Sequence, residues 1–460
     1  MRVGIDAHTG VESIRLPGGS SETASAERGV WSAPTPSREA RFQTRLLDKV
    51  QVARLEQNMR ERTSDSPRTI TLLHIVGARP NYMKIAPIVL AGERWNQTVA
   101  FRVDGTTGVA DPEPRSAIRF TQLLVHTGQH YDRELCDLLF EDLGLREPDH
   151  SLGVGAASPI TQTARVMERL EPLLNSLRPD VVLVPGDVNS SMAAALACVK
   201  LRIPVAHVEA GVRSYDREMP EEHNRVVIDH VADILYAPCS EAVDNLLGEG
   251  IPAERITFVG NTMIDTLDRL LPAALAREGS VRQAVRLASD EPFILVTLHR
   301  PSNVDDPIQL GRLLDAFAKV AEHLPVVFPV HPRTRARMGG FGLANGKTAS
   351  LRMVQPLGYL DFLALMRSAS AVMTDSGGVQ AETTRLGVPC VTLRTTTEWP
   401  ATLRLGTAVL VDPFDVETIV ATTLERARPT RSESTLPPVE LWDGAAGDRL
   451  VHDLADRLSR

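Results

Sequence analysis

The sequence predicts an α/β protein of two Rossmann-like domains around a central cleft, and three observations carry that prediction. From Thr69 onward, short runs rich in Val, Ile and Leu alternate with helical stretches, the pattern of parallel sheets covered on both faces. The runs fall into two successive sets, and 460 residues with 43% apolar content suffice for two domain cores with chain to spare. Carboxylates, glycines and basic residues directly follow several of these runs, at the strand ends where open α/β sheets bind their ligands.

In chain order, residues 1–67 differ from the rest. SIRLPGGSSETASAERG and SAPTPS are rich in Ser, Gly and Pro, which predicts linker or disorder. Phe42, Leu46, Val50 and Met59 then predict a short charged amphipathic helix before the first domain. TITLLHIV, QLLVHTG, DVVLVPGD, IPVAHVE and DILYAP form the first set of strands, with a surface insertion, DGTTGVADPEPRS, inside it. ITFVGN, FILVTLHR, LPVVFPVHP, LRMVQPLGY, AVMTDSGG and PCVTLR form the second. The junction is expected near Val259 to Thr262, with the ligand in the cleft between the domains.

Composition narrows the partners. A formal charge of −8 gives no reason to expect nucleic-acid binding, and 4% aromatic residues are too few for a base-stacking surface. No membrane span and no export signal is expected, so the sequon at Asn96 is without consequence and the chain is expected in the cytoplasm. Cys136, Cys198, Cys239 and Cys390 are far apart with no CxxC pair, which predicts free thiols rather than a zinc site or disulfides. Two partial motifs assign no cofactor. In Gly153-Val154-Gly155-Ala156-Ala157-Ser158 a serine replaces the third glycine and no strand is expected before it; Gly346-Lys347-Thr348 lacks the earlier glycine of a phosphate loop and a leading strand.

The chemistry concentrates in three acids. Asp187 follows DVVLV and Glu209 follows IPVAHV, so both are expected at carboxyl ends of parallel strands; Glu221 is expected in the loop beyond, with Asn224 and Arg225 after it. Together they predict a crowded acid/base site. VGARPNYMKIAP places Arg79 and Lys84 around a helix N-terminus, a natural seat for phosphate. In the second half, Thr374-Asp375-Ser376-Gly377-Gly378 ends a strand and opens a helix whose backbone N–H groups can cradle a diphosphate, with Glu382 placed for a ribose. His299-Arg300 and His331-Pro332-Arg333 supply further basic groups, whereas Arg335 and Arg337 are read as solvated.

Block after block, VGARPNYMKIAPI, LVHTGQHYD, PGDVNSS, IPVAHVEAGVRS, MPEEHNRVVID, FVGNTMIDTL, TLHRPSNVDDP, VFPVHPRTRAR, PLGYLDFLALM and TDSGGVQAETTRLGVPCVTLR resemble the non-hydrolysing UDP-N-acetylglucosamine 2-epimerases, from about Thr69 to the C-terminus. The resemblance implies a two-domain fold like that of the GT-B glycosyltransferases, with residues 68–260 plus 442–460 in the first domain, 261–441 in the second, and the last helix crossing back. It implies interconversion of UDP-N-acetylglucosamine and UDP-N-acetylmannosamine for cell-surface polysaccharide precursors, through loss of UDP to a 2-acetamidoglycal, with no cofactor or metal. Asp187, Glu209 and Glu221 match the acid/base set, and His299 the histidine at the leaving group. Arg225 falls in the substrate cleft, and Arg79, Lys84, Ser376, Gly377, Gly378 and Glu382 at UDP-binding positions. His223 is read as structural. Gln129 lies where the family places a second UDP-N-acetylglucosamine as activator, and a homodimer is expected.

Three positions depart from that pattern: Asn81 and Ala381 each replace a glutamate, and Thr395 to Pro400 replaces Asp-x-Thr-Glu-Arg-Pro, so that Trp399 removes a cation near the cleft. The departures leave open a hydrolysing epimerase, an epimerase of a 2,3-diacetamido uronic acid, or a non-catalytic UDP-sugar sensor.

Overall fold

The computed structural model describes residues 67–103, 118–128, 142–343, 348–428 and 439–459. The N-terminal extension, the insertion, Gln129, Cys136 and Gly346-Lys347 lie outside them. The strands are β1 (Arg68–Val76), β2 (Ile118–His126), β3 (His150–Ser151), β4 (Val181–Pro185), β5 (Val205–Val208), β6 (Ile234–Ala237), β7 (Ile256–Phe258), β8 (Ile294–Thr297), β9 (Val326–Pro329), β10 (Arg352–Val354), β11 (Ala371–Thr374), β12 (Cys390–Leu393) and β13 (Ala408–Val411). Every pairing is parallel.

They build a seven-stranded sheet, β3-β2-β1-β4-β5-β6-β7, and a six-stranded sheet, β10-β9-β8-β11-β12-β13. In both, the chain starts in the middle, winds to one edge, then returns to the centre and winds to the other. The order therefore reverses between β1 and β4 in the first sheet and between β8 and β11 in the second. At such a reversal the flanking loops diverge to opposite faces and leave a crevice at the strand carboxyl ends. Arg79 follows β1, Asp187 follows β4, His299 follows β8 and Ser376 follows β11: both crevices are lined by residues the sequence singled out.

The runs read as strands because both faces are covered: Val181, Val182, Leu183 and Val184 are all fully buried, as a continuous rather than alternating apolar run requires. One buried cluster joins the halves, running from Ile70 and Leu183 through Met263 and Leu267 of the helix Thr262–Ala284 to Leu360 and Leu363. The last helix, Ala446–Ser459, packs on the helix Arg79–Val103. Leu450 and Leu454 are fully buried there, worth about 1.5–3 kcal/mol each. Gly447 permits the approach, since a Cβ on it would lie 2.7 Å from the Pro87 carbonyl oxygen.

Two details correct the sequence reading. A two-residue strand, β3, does precede the Gly153 loop, and Ser158 is the N-cap of the helix Pro159–Leu177, its side chain accepting from the Thr161 N–H at 3.3 Å. Glu221 is in the first turn of a helix, Pro220–Val231, with Pro220 at its start; a proline there fixes helical φ and loses no hydrogen bond.

Candidate active site

The acids at the ends of β4 and β5 meet the cation of the first helix. Lys84, buried one and a half turns into the helix Arg79–Val103, donates from Nζ to Glu209 Oε1 at 2.6 Å. Gly186 makes this possible: its φ is +60°, and a Cβ would stand 2.6 Å from Lys84 Nζ. Glu209 itself has φ +71°, a left-handed backbone that costs a non-glycine residue of the order of 1–3 kcal/mol. The Tyr236 carbonyl holds it there, accepting from the N–H groups of both Glu209 and Ala210 at 3.1 and 3.0 Å. Glu209 Oε2 is buried with no hydrogen-bond partner. Burial pushes the Glu209 carboxyl above the usual range despite Lys84.

Asp187 is held differently. Arg225 grips its Oδ2 with Nε, at 3.1 Å, and with Nη2. Burial raises the Asp187 carboxyl, but Arg225 and then Lys84 outweigh it and leave it below its ordinary value. Arg225 also donates to Glu222 Oε2 at 2.8 Å, and Glu222 accepts from the Ser214 N–H and hydroxyl and the Tyr215 N–H. Of the adjacent pair in MPEEHNR, then, Glu222 is the buried brace, while Glu221 is half-exposed on the first turn. His223 is exposed and bonds the Arg217 carbonyl at 2.9 Å, a loop clamp.

In the second half, fully buried Asp375 organises the loop after β8. It accepts from the N–H groups of His299 and Arg300, the latter at 2.8 Å, pairs with His299 Nδ1 at 3.0 Å, and takes Asn303 Nδ2 at 3.2 Å. His299 is thereby fixed by one nitrogen with its ring 43% exposed, and the His331 ring lies 6.0 Å away. His331 caps the helix Pro332–Gly340. Ser376 caps the helix Gly377–Leu386, so the N–H groups of Gly377 and Gly378 open a helix whose positive end suits an anion. Glu382, on the same helix, accepts the Tyr359 hydroxyl at 2.8 Å; burial raises its carboxyl to about 7 against the pull of Tyr359 and Arg79. Arg333 pairs with Asp305, which Arg337 also engages, so Arg333 lies in the same exposed setting as Arg337, one of the two arginines read as solvated.

Glu398 joins the two halves and was missed as a site residue. It accepts from Arg394 at 2.7 Å and Arg300 at 3.3 Å, and Arg225 Nη2 of the first half lies 3.6 Å away. Burial opposes its ionisation, but Arg394, Arg300 and Arg225 bring it to about 2. The one legible signal was its spacing of four from Arg394; the contact of Tyr359 with Glu382, residues far apart in sequence, gave none. The three departures acquire reasons. Asn81 is buried and donates from Nδ2 to the Pro185 carbonyl at 2.8 Å, which a carboxylate cannot do. Trp399 packs edge-on against Trp442 at 5.6 Å, in a buried cluster that includes Ala381; Arg300 and Arg394 supply cations beside it. Gln129 lies outside the described residues. Among the described residues, no group of three His, Cys, Asp or Glu is placed to hold a metal, and no helix is long and apolar enough to cross a membrane.

Comparison with known proteins adds names to this geometry. Residues 114–455 match the family described as UDP-N-acetylglucosamine 2-epimerase. A UDP-N-acetylglucosamine 2-epimerase of Methanococcus maripaludis is 37% identical over 360 residues, 77% of this chain and 92% of that protein. A UDP-2,3-diacetamido-2,3-dideoxy-D-glucuronate 2-epimerase of Pseudomonas aeruginosa is 38% identical over 343 residues, 74% of this chain and 88% of that one. The crystal structure of the Methanocaldococcus jannaschii UDP-GlcNAc 2-epimerase in complex with UDP-GlcNAc and UDP superposes with a TM-score of 0.72 at 35% identity, covering 84% of this chain and all of that one.

Proposed function

The chain belongs to the UDP-N-acetylglucosamine 2-epimerase family, and from that premise we propose that it inverts C2 of UDP-N-acetylglucosamine without hydrolysing it. The observation that carries the proposal is the pairing of Asp187 and Glu209, a partly exposed and a buried carboxylate at neighbouring strand ends whose surroundings push their proton affinities in opposite directions. Such divergence separates a base from an acid.

The hydrogen on C2 of the sugar is not acidic while the anomeric carbon is saturated. As the bond from C1 to the UDP oxygen lengthens, its electron pair leaves with UDP and positive charge grows at C1 and the ring oxygen. Asp187, kept ionised by Arg225, takes the C2 proton; the C2–H pair becomes the C1–C2 double bond of the 2-acetamidoglycal. Glu209, whose Oε2 has no hydrogen-bond partner and whose carboxyl burial pushes up, returns a proton to the other face of C2 as UDP re-adds to C1, and the two exchange roles in reverse. Glu221, half-exposed beside the site, is the third acid the variants below test. His299, His331, Arg79 and the N–H groups of Gly377 and Gly378 hold the departing diphosphate, with Glu382 accepting from ribose. Dimerisation, the cytoplasmic setting, the absence of a required cofactor, and an activator site around Gln129 belong to the same reading.

Proton NMR of UDP-N-acetylglucosamine with the enzyme in D2O tests it: UDP-N-acetylmannosamine should accumulate with deuterium at C2. Free N-acetylmannosamine and UDP as main products would replace it with the hydrolysing reaction. The Pseudomonas aeruginosa relative, as similar as the others, supports a second substrate, the 2,3-diacetamido glucuronate; higher kcat/KM on that sugar would move the assignment to it.

A further inference from the structure

We propose that His207 is a positioning residue held as an imidazolium, and that with Asp229 it braces the two strand ends that carry Asp187 and Glu209. His207 lies on β5, two residues before Glu209, and is fully buried. Its Nδ1 is 2.6 Å from Asp229 Oδ1, and its Nε2 is 3.0 Å from the carbonyl oxygen of Gly186, the residue before Asp187. A carbonyl and a carboxylate both accept. A neutral imidazole has one N–H and one lone pair, so it satisfies one of these partners and sets a lone pair against the other. Only the ring with both nitrogens protonated donates to both.

The extra proton belongs on the ring rather than on Asp229. Asp229 Oδ2 accepts from Arg213 Nη1 at 2.6 Å and from the Gly211 N–H at 3.0 Å, both of which favour the ionised carboxylate. Arg213 is in turn clasped by Glu249 at 2.7 and 2.8 Å, and His230 lies 3.8 Å from that carboxylate. His207, Asp229, Arg213 and Glu249 thus alternate in sign from the buried strand outward, and each buried charge has an opposite neighbour, as burial of charge requires.

What the pair holds is the geometry of the reaction. Gly186 is tied to β5 twice, by its N–H to the Val208 carbonyl at 2.9 Å and by its carbonyl to His207. Asp229 fixes Gly211, two residues past Glu209, where φ is +82°. Glu209, with φ +71°, is therefore bracketed by His207 and by the Asp229 contact at Gly211. A left-handed glutamate persists only where its surroundings over-determine it. Without the His207–Asp229 unit, the turn is free to relax and carry Glu209 away from Lys84.

The proposal rests on the epimerase reading, and the test keeps the two apart. In the wild-type protein, neutron diffraction should show hydrogen or deuterium on both Nδ1 and Nε2 of His207, whatever reaction the site performs. Density on Asp229 Oδ1 with one bare ring nitrogen would overturn the assignment. In His207→Gln, which keeps a donor but turns a carbonyl on Asp229, kcat for epimerisation should fall about 10²-fold, the cost of misplacing a reacting group by about 1 Å, with the dissociation constant for UDP within two-fold. Asp229→Asn should behave alike. A residue of purely structural importance would instead lower the folded fraction and leave kcat per folded site unchanged, and that result would overturn the positioning role. Should wild-type enzyme fail to epimerise any UDP-N-acetylhexosamine, the epimerase reading falls while the neutron result still decides the protonation.

Discussion

Replacing Glu382 by glutamine should make the protein more stable at alkaline pH and a poorer binder of UDP. Glu382 is 3% exposed, and its carboxyl, ordinarily near 4.5, is raised to about 7. The cause is burial, which Tyr359 and Arg79 only partly offset. A difference of roughly 2.5 units corresponds to about 3 kcal/mol at 1.36 kcal/mol per unit. The sign follows from proton counts: between about pH 4.5 and 7 the folded state binds the proton that the unfolded chain has released, so stability falls as pH rises through this window and stays low above it. Glutamine keeps the shape and an acceptor for the Tyr359 hydroxyl, and carries no charge to desolvate. Denaturant unfolding at pH 5 and 8.5, with UDP titrated calorimetrically, is the assay. The stability advantage of Glu382→Gln should approach about 3 kcal/mol at pH 8.5 and shrink markedly by pH 5, while UDP affinity drops if the ionised carboxylate accepts the ribose hydroxyls. A glutamine variant that is less stable than wild type at pH 8.5 would refute the reasoning, since it would mean that ionised Glu382 is net favourable in the fold.

Three further outcomes follow from the same geometry. Asp187→Asn, Glu209→Gln and Glu221→Gln should each lose about 10²- to 10⁴-fold in epimerisation while retaining UDP binding, measured by coupled kinetics and calorimetry; full activity in all three would dismiss the carboxylate assignment. Glu398→Gln should destabilise the protein by about 3–5 kcal/mol at pH 7, because three arginines lose their shared partner. As the Glu398 carboxyl is depressed to about 2, its contribution is present above the ordinary value and lost as pH falls from 4.5 towards 2, so wild type and variant should converge in acid-unfolding curves. Gly186→Ala should cost about 1–2 kcal/mol from the left-handed backbone alone, and lose activity beyond that because the methyl group displaces Lys84 from Glu209; unchanged kcat would show that this contact is dispensable.

Much of the fold was legible because a strand buried on both faces writes its environment directly into its sequence. VVLV and FILVT had no other comfortable place, and the acids directly after DVVLV and IPVAHV landed at the strand ends as expected. What escaped was whatever depends on distance in space rather than in sequence. Glu221 and Glu222 are neighbours of the same type; which one is buried depends on the rotation of a helix begun by Pro220. Lys84 was read as a phosphate group because it lies near a helix start, but its burial one and a half turns along directs it to Glu209. Trp399 was read as a lost cation, since sequence could not reveal that Arg394 and Arg300 meet at the preceding residue.

The ion pairs also constrain how UDP is held. Lys84 is matched by Glu209, Arg225 by Asp187 and Glu222, and Arg394 and Arg300 by Glu398. These cations are already engaged inside the protein, and drawing one off strips a buried acid of its partner, at a cost of several kcal/mol. A diphosphate arriving with its own negative charge is therefore better met by groups that lose nothing in turning to it: the helix N-terminal N–H groups of Gly377 and Gly378, and the half-exposed ring of His299. Under the proposed reaction UDP must leave C1, wait through the glycal and return, and contacts from backbone dipoles and a half-exposed histidine suit that traffic. Lys84 and Arg225 instead pair with Glu209 and Asp187, the carboxylates proposed to move the proton.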